Sequence, residues 1–174
     1  SEPDHWRVIA SNDGTQLTTT PSIPGLDGVV LSKGQWVEGI TAESFMLNAT
    51  GPIQVGQYTV GQQMTEDMTG DPSLILAVPE SQFRKDYILL TPQGYDENYI
   101  TVIRVAGVPV LLDGTEISSS AFQGFGDGSW ERAYLSVPEG THTLLSESAF
   151  GLTAYGWSNA VSYGYPGGLD LEAT

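Results

Sequence analysis

The chain alternates apolar and polar residues in short runs, and turn-forming residues separate these runs. Residues 5–10 form one such run, and Asn12-Asp13-Gly14, which tolerate positive φ, lead into the next. The pattern recurs as far as Trp157, and no stretch keeps helical spacing for more than one or two turns. It predicts an all-β protein, specifically an antiparallel, jelly-roll-like β-sandwich.

A polar segment with two methionines, residues 61–72, interrupts this pattern of strands. The strand-turn-strand pattern of residues 45–58 resembles that of 141–157 on the other side of the segment. Two interpretations stay open: a single β-sandwich module over all 174 residues, or two pseudo-repeated halves. The halves would be 1–63 and 72–169, joined by the polar segment.

The charge and the amino-acid composition exclude several classes of function. With 6 Lys and Arg against 21 Asp and Glu, the chain carries a net charge of -15, which argues against binding to nucleic acid or to an anionic membrane. No apolar stretch has the roughly 18–20 residues of a membrane-spanning helix. The absence of cysteine excludes disulfides, thiolate metal sites and cysteine nucleophiles.

The composition also bears on where the protein acts. Its 21 Gly, 10 Pro and 8 Tyr indicate a strand- and turn-rich protein. An acidic, cysteine-free chain that is poor in lysine favours a secreted or cell-surface protein of bacterial origin. Because the sequence begins Ser-Glu-Pro, we interpret it as a processed piece of a larger multidomain protein.

Motifs for catalysis are absent from the sequence. It contains no G-x-S-x-G or H-E-x-x-H pattern, and its two histidines, His5 and His142, lie far apart. Pairs of carboxylates, which glycosidases require, have no distinguishing local signature among 21 acids. We therefore predict that the chain is not an enzyme and that most of its acids lie on a solvated surface.

Aromatic residues beside glycine or polar residues are the better candidates for a binding site. Exposed Trp and Tyr rings stack on sugars or fill pockets of a protein partner. The alternative is that most of them belong to the core. Turn-forming neighbours favour exposure of Tyr95, Tyr163 and Tyr165, and the segment 162–168 is expected to be a flexible aromatic tail. The candidate ligand-binding residues are Trp36, Tyr95, Tyr99, Trp130, Trp157, Tyr163 and Tyr165.

A calcium ion is a further hypothesis, although no cofactor is required. Calcium takes carboxylate and carbonyl oxygens from loops, but the sequence has no D-x-D-x-D-G loop. The acids placed to supply ligands are Asp67, Asp71, Asp96 and Asp127.

Several motifs follow one another in a fixed order: Asp71-Pro72-Ser73-Leu74, residues 87–92, residues 98–103, Leu112-Asp113-Gly114 and the closing residues 162–168. Together they resemble the N-terminal domain of IgG Fc-binding protein and its bacterial relatives, most densely over 71–114 and 141–169. The resemblance implies an extracellular β-sandwich that recognises a ligand, without enzyme activity and without agreed binding residues. It does not imply that this chain binds IgG.

The function predicted from the sequence is that of a non-catalytic extracellular recognition or adhesion module. Its partner would be a protein or a glycan on another surface, contacted through exposed aromatic rings. The alternative is a carbohydrate-binding module appended to a polysaccharide-degrading enzyme.

Overall fold

Antiparallel strands build the whole of the regular structure. The computed structural model describes residues 3–65 and 68–171, and within them every pair of neighbouring strands is antiparallel. The helical segments among these residues are single 3₁₀ turns at Gln62–Met64, Glu80–Gln82 and Ser119–Ala121. The prediction of an all-β, antiparallel fold is confirmed.

The chain divides into two compact units, residues 1–77 and residues 78–174. The first unit contains a four-stranded sheet of order β4-β1-β6-β7 and a three-stranded sheet of order β3-β2-β5. Its strands are β1 (Asp4–Ala10), β2 (Thr15–Thr20), β3 (Val30–Leu31), β4 (Trp36–Thr41), β5 (Met46–Ala49), β6 (Ile53–Tyr58) and β7 (Leu74–Leu76).

The core of the first unit combines side chains from both of its sheets. Val8 and Ala10 of β1 are buried together with Leu17 of β2 and Leu31 of β3. Alternation along β1 therefore leaves the side chains of odd-numbered residues, such as Arg7, on the outer face of the four-stranded sheet.

The second unit is one eight-stranded sheet that curls on itself. Six strands follow the order β11-β10-β14-β9-β13-β12, while β8 and β15 each pair with β14. The strands are β8 (Arg84–Thr91), β9 (Glu97–Val105), β10 (Val110–Leu112), β11 (Thr115–Glu116), β12 (Gln123–Phe125), β13 (Trp130–Ser136), β14 (Gly140–Ser158) and β15 (Val161–Pro166).

Strand β14 organises this unit because it is 19 residues long and changes partners part-way. Its first part pairs with β8 and β10, and its last part pairs with β9 and β15. The register against β8 shifts between Leu145 and Phe150, where the strand passes from one set of neighbours to the other. At this point the Tyr87 ring packs edge-on against Phe150 at 4.9 Å, and its hydroxyl donates to the Phe150 carbonyl.

The closing segment differs from its prediction. Residues 161–166 form strand β15, paired with β14, so the expectation of a flexible tail over 162–168 is wrong for this stretch. The strand forms because the Tyr163 and Tyr165 side chains pack against the core of the second unit. The pseudo-repeat of 1–63 and 72–169 stays a prediction.

Candidate functional site

Three aromatic side chains share the outer face of the sheet where β9 lies beside the last part of β14. Tyr99 and Tyr155 are directly opposite each other in the register, and Trp157 follows two residues later on β14. Neighbouring residues such as Ile100 and Ala154 are fully buried, because successive side chains in a strand point to opposite faces. The three rings are half-buried and form what we call the aromatic cluster.

The rings of the aromatic cluster are nearly parallel and in mutual contact. Their centroids lie 5.0 Å apart for Tyr99 and Trp157, 5.8 Å for Tyr99 and Tyr155, and 5.9 Å for Tyr155 and Trp157. The interplanar angles of 15 to 26° make this an offset-stacked arrangement, which aromatic pairs prefer over a face-to-face sandwich. Each ring restricts its neighbours, so the cluster has a fixed shape before any ligand arrives.

Polar groups surround the aromatic cluster. The Tyr99 hydroxyl donates to the exposed carboxylate of Glu97, which lies opposite Trp157 in the register. This hydrogen bond, together with burial, raises the pKa of Tyr99 above its ordinary value. On the same face, Thr101 and Thr153 are paired in the next row of the sheet. The surface therefore combines aromatic rings with a carboxylate and two hydroxyl side chains.

Comparison with known proteins identifies the family of the chain. The profile of a family described as IgGFc binding protein matches residues 1–156. The chain belongs to this family. The match confirms the resemblance inferred from the sequence, and it gives the chain the general character of an extracellular binding domain. No curated protein matches the sequence.

Solved structures add little to this identification. An anti-sigma factor domain-containing protein is 12% identical, with 96% of this chain and 78% of that chain covered and a TM-score of 0.25. An anti-sigma factor domain-containing protein from Clostridium clariflavum is 10% identical, with 99% and 81% covered and a TM-score of 0.26. Similarities at these TM-scores support no conclusion about this IgGFc-binding family member.

The described residues of this IgGFc-binding family member include no helix of the length and apolar character that crossing a membrane requires.

The aromatic cluster contains two of the predicted ligand-binding residues, Tyr99 and Trp157, and brings them into contact. Tyr155 was not among the predicted site residues. Its period-two spacing from Trp157 places both rings on one face of a strand, a signal that was available in the sequence. The sequence did not reveal that Tyr155 pairs with Tyr99, because 55 residues lie between the two tyrosines.

A second aromatic group lies on the opposite face of the same sheet and serves the core. The Tyr163 hydroxyl donates to Asn98 Oδ1 at 2.6 Å, and the Tyr165 hydroxyl donates to the Leu90 carbonyl. Burial raises the pKa of Tyr163 to about 12. The expectation that Tyr163 and Tyr165 lie in exposed turns is therefore wrong. Tyr95 packs edge-on against Tyr163 at 4.7 Å, and a binding role for these three residues stays a prediction.

The remaining predicted aromatic residues lie elsewhere. Trp130 packs edge-on against Phe83 at 5.9 Å. Trp36 belongs to the first unit, where its ring is half exposed and lies beneath the Arg7 guanidinium at 4.8 Å. Ligand binding at either tryptophan stays a prediction.

The calcium hypothesis gains no support from the described residues. Within 3–65 and 68–171, no group of three or more His, Asp or Glu side chains is placed to hold a metal ion. Asp127 accepts hydrogen bonds from the backbone and hydroxyl of Ser129, and Asp96 accepts one from Ser158. Asp71 has interacting neighbours of its own, and Asp67 lies outside the described residues.

His142 and Asp113 form a partly buried contact that resembles part of a catalytic arrangement but links strand β14 to the turn between β10 and β11. His142 Nδ1 lies 2.7 Å from Asp113 Oδ2, and Nε2 lies 2.9 Å from the Pro138 carbonyl oxygen. Both partners are acceptors, so this geometry favours the ring with both nitrogens protonated. Burial lowers the pKa of His142, but the Asp113 carboxylate and the Pro138 carbonyl outweigh it and raise the pKa above its ordinary value.

This contact predicts a stability that falls in mildly alkaline solution. The contribution of His142 is complete below its unfolded pKa of about 6.5 and is lost as the pH rises through the higher folded value. The hydrogen bond from His142 lowers the pKa of Asp113, so the contribution of Asp113 is complete above about pH 3.9 and is lost as the pH falls. We expect the second unit to melt at a lower temperature at about pH 8.5 than at about pH 5.5.

Thermal unfolding of the His142→Asn variant at both pH values checks this expectation. Asn keeps a hydrogen-bond donor near Asp113 but does not titrate, so the difference between the two pH values should shrink. An equal difference in the variant and in the wild type would contradict the assignment.

Proposed function

We propose that the chain is a non-catalytic extracellular recognition or adhesion module that binds a protein or glycan on another surface through the aromatic cluster. The observation that carries the proposal is the stack of Tyr99, Tyr155 and Trp157 on the outer face of the sheet. Family membership supports the general role, because the family consists of extracellular binding domains.

The energetics of the aromatic cluster suit binding. Tyr and Trp are the residues most enriched among those that dominate binding energy, since they bury a large area with few rotatable bonds. Because the three rings already restrict one another, little side-chain entropy is lost when a partner covers them. The cluster also lies entirely on the paired strands β9 and β14, and side chains on regular strands are held more precisely than side chains on loops.

The alternative function is a carbohydrate-binding module appended to a polysaccharide-degrading enzyme. It is favoured by the neighbouring hydroxyl groups of Thr101 and Thr153, which could bond to sugar hydroxyls while a ring face stacks on the sugar. In this case the wild type would be retained on insoluble cellulose, xylan or chitin and not on protein-coated surfaces.

We predict that Trp157→Ala weakens binding by about 5- to 150-fold, because truncating a large aromatic residue at the centre of an interface costs roughly 1–3 kcal/mol. The measurement is the retention of the fluorescently labelled chain on a panel of insoluble polysaccharides and immobilised extracellular matrix proteins. Each surface is tested with the wild type and the variant in parallel.

Tyr58→Ala is the matched control, since Tyr58 is also a half-buried aromatic residue on the outer face of a sheet but belongs to the first unit. It should bind like the wild type. Equal retention of the wild type and Trp157→Ala on every surface that binds, or no retention on any surface, would overturn the proposal.

A further inference from the structure

Most arginines of this chain make cation–π contacts with aromatic rings. Three of the four arginines, all within the described part of the chain, hold the guanidinium carbon above a ring. The distances to the ring centroid are 3.4 Å for Arg104 over Phe122, 4.4 Å for Arg132 over Tyr134 and 4.8 Å for Arg7 over Trp36. All lie within the range of about 6 Å in which a ring attracts a cation.

The site around Arg7 shows the complete arrangement. Its guanidinium lies over Trp36 and also over Tyr58, at 5.2 Å. The carboxylate of Glu38 completes the site by accepting a hydrogen bond from Arg7 Nε at 2.7 Å. This hydrogen bond lowers the pKa of Glu38, so the carboxylate stays ionised. On the outer face of one sheet, a tryptophan, a tyrosine and a glutamate thus hold one guanidinium.

The aromatic cluster of the second unit offers the same three kinds of group. Trp157 and Tyr99 lie 5.0 Å apart, and Glu97 is the register partner of Trp157. Among residues 3–65 and 68–171, no guanidinium lies over Tyr99 or Trp157. The second unit therefore presents the same three kinds of side chain that hold an arginine in the first unit.

The charge of the molecule favours the same kind of ligand. The chain carries 21 acids against 6 basic residues, so its field attracts cations and repels anions. In the second unit, Arg104 is paired with Glu131 and Arg84 with Asp86, while Arg132 lies over Tyr134. Among the described residues no ion pair joins Glu97 to a lysine, arginine or histidine, although Glu97 accepts a hydrogen bond from the Tyr99 hydroxyl.

We propose that Tyr99, Trp157 and Glu97 bind the guanidinium group of an arginine on a basic partner protein. This inference rests on the proposed function, because it names the group that the same surface recognises. A guanidinium suits the site better than an ammonium: it is planar, stacks on aromatic faces and is more weakly hydrated. The Tyr99 hydroxyl orients the carboxylate of Glu97 beside the rings, where the carboxylate receives the N–H groups of the arginine.

The test uses the 174-residue chain and a pair of synthetic peptides. One is an N-acetylated, C-amidated peptide of alternating glycine and arginine, and the other carries citrulline, an uncharged residue of the same shape, at each arginine. Binding is followed by calorimetry and by the indole N–H signal of Trp157 in NMR spectra. We expect the arginine peptide to bind and to shift this signal. The citrulline peptide should bind about 2- to 30-fold more weakly, because it lacks the charge that the rings attract.

Two variants separate recognition by this site from general attraction to an acidic protein. Glu97→Gln and Trp157→Ala should each weaken binding of the arginine peptide severalfold. Glu116→Gln, which makes the same charge change on the exposed hairpin strand β11, should bind like the wild type. Glu97 is exposed, so its substitution leaves folding intact even if Trp157→Ala does not fold.

Equal binding of the arginine and citrulline peptides, or equal weakening by Glu97→Gln and Glu116→Gln, would overturn the guanidinium assignment. If Trp157→Ala meanwhile loses retention on a polysaccharide or protein surface, the proposed recognition function stands and only the ligand chemistry is wrong. If Trp157→Ala loses nothing on any surface and nothing toward the peptide, both proposals fail.

Discussion

Gly156→Ala should destabilise the second unit by about 3 kcal/mol or more, at or above the upper end of what overpacking normally costs. A Cβ atom at this position would lie 2.4 Å from the Glu97 carbonyl oxygen and 2.6 Å from Cε1 of Tyr163. The first of these atoms is backbone and cannot rotate away. Strands β9 and β14 must therefore separate at the point between Tyr155 and Trp157, so the aromatic cluster should lose its alignment as well.

Urea denaturation and amide hydrogen exchange together measure this effect, since exchange of the β9 and β14 amides reports on the second unit alone. Gly124→Ala is the matched control: Gly124 also lies in a strand, β12, and its nearest neighbouring atom would be 3.9 Å from the added Cβ. Similar losses of stability in the two variants would contradict the prediction, because the close approach of backbone atoms at Gly156 would then not be the cause of the loss.

Arg104→Ala is the second substitution with a large expected effect, a loss of about 2–3 kcal/mol, because it removes a buried side chain together with charge-assisted hydrogen bonds, which contribute roughly 1.5–3 kcal/mol, while its partner Glu131 stays partly exposed to solvent. The Arg104 side chain is 4% exposed, and its guanidinium lies 3.4 Å from the centroid of the Phe122 ring. Nε donates to Glu131 at 2.9 Å, and a second nitrogen donates to the Val108 carbonyl at 2.9 Å. The substitution removes all of these contacts at once.

Arg84→Ala is the control for this prediction, because its pairing with Asp86 lies at the surface, where ion pairs contribute only about 0–1 kcal/mol. The free energy of unfolding from urea denaturation should separate the two variants clearly. Adding Glu131→Gln to Arg104→Ala should recover part of the loss, since the unpaired charge disappears. A double variant as unstable as the single one would argue that packing on Phe122, and not the ion pair, is the main contribution.

The sequence pattern predicted the strands well but not their neighbours. Alternation identified β1 correctly because this strand has one buried and one exposed face. The strand-turn-strand pattern expected for 141–157 is wrong, because these residues belong to the single strand β14. Alternation could not reveal that β14 pairs with β9, since that contact joins residues far apart in the chain. The aromatic cluster depends on this pairing, so only its members, and not their contact, were open to prediction.

Local composition was misleading where tertiary packing overrode it. Glycine and proline around Tyr163 and Tyr165 are typical of a turn, yet both tyrosines lie in β15 with their hydroxyls bonded to Asn98 and Leu90. Gly164 between them is the register partner of Tyr155. Hydrogen bonds of this kind, between residues far apart in the chain, have no local signature in a sequence.

In the proposed adhesion role, the length of β14 would have a mechanical consequence. A force on a partner bound at Trp157 would act on the last part of β14. This part is hydrogen-bonded to β9 and β15, and the first part of the same strand is hydrogen-bonded to β8 and β10. A pull along the strand axis therefore loads these backbone hydrogen bonds together, in shear, and does not open them one after another. The same strand that positions the aromatic cluster spreads the load on it through the whole eight-stranded sheet.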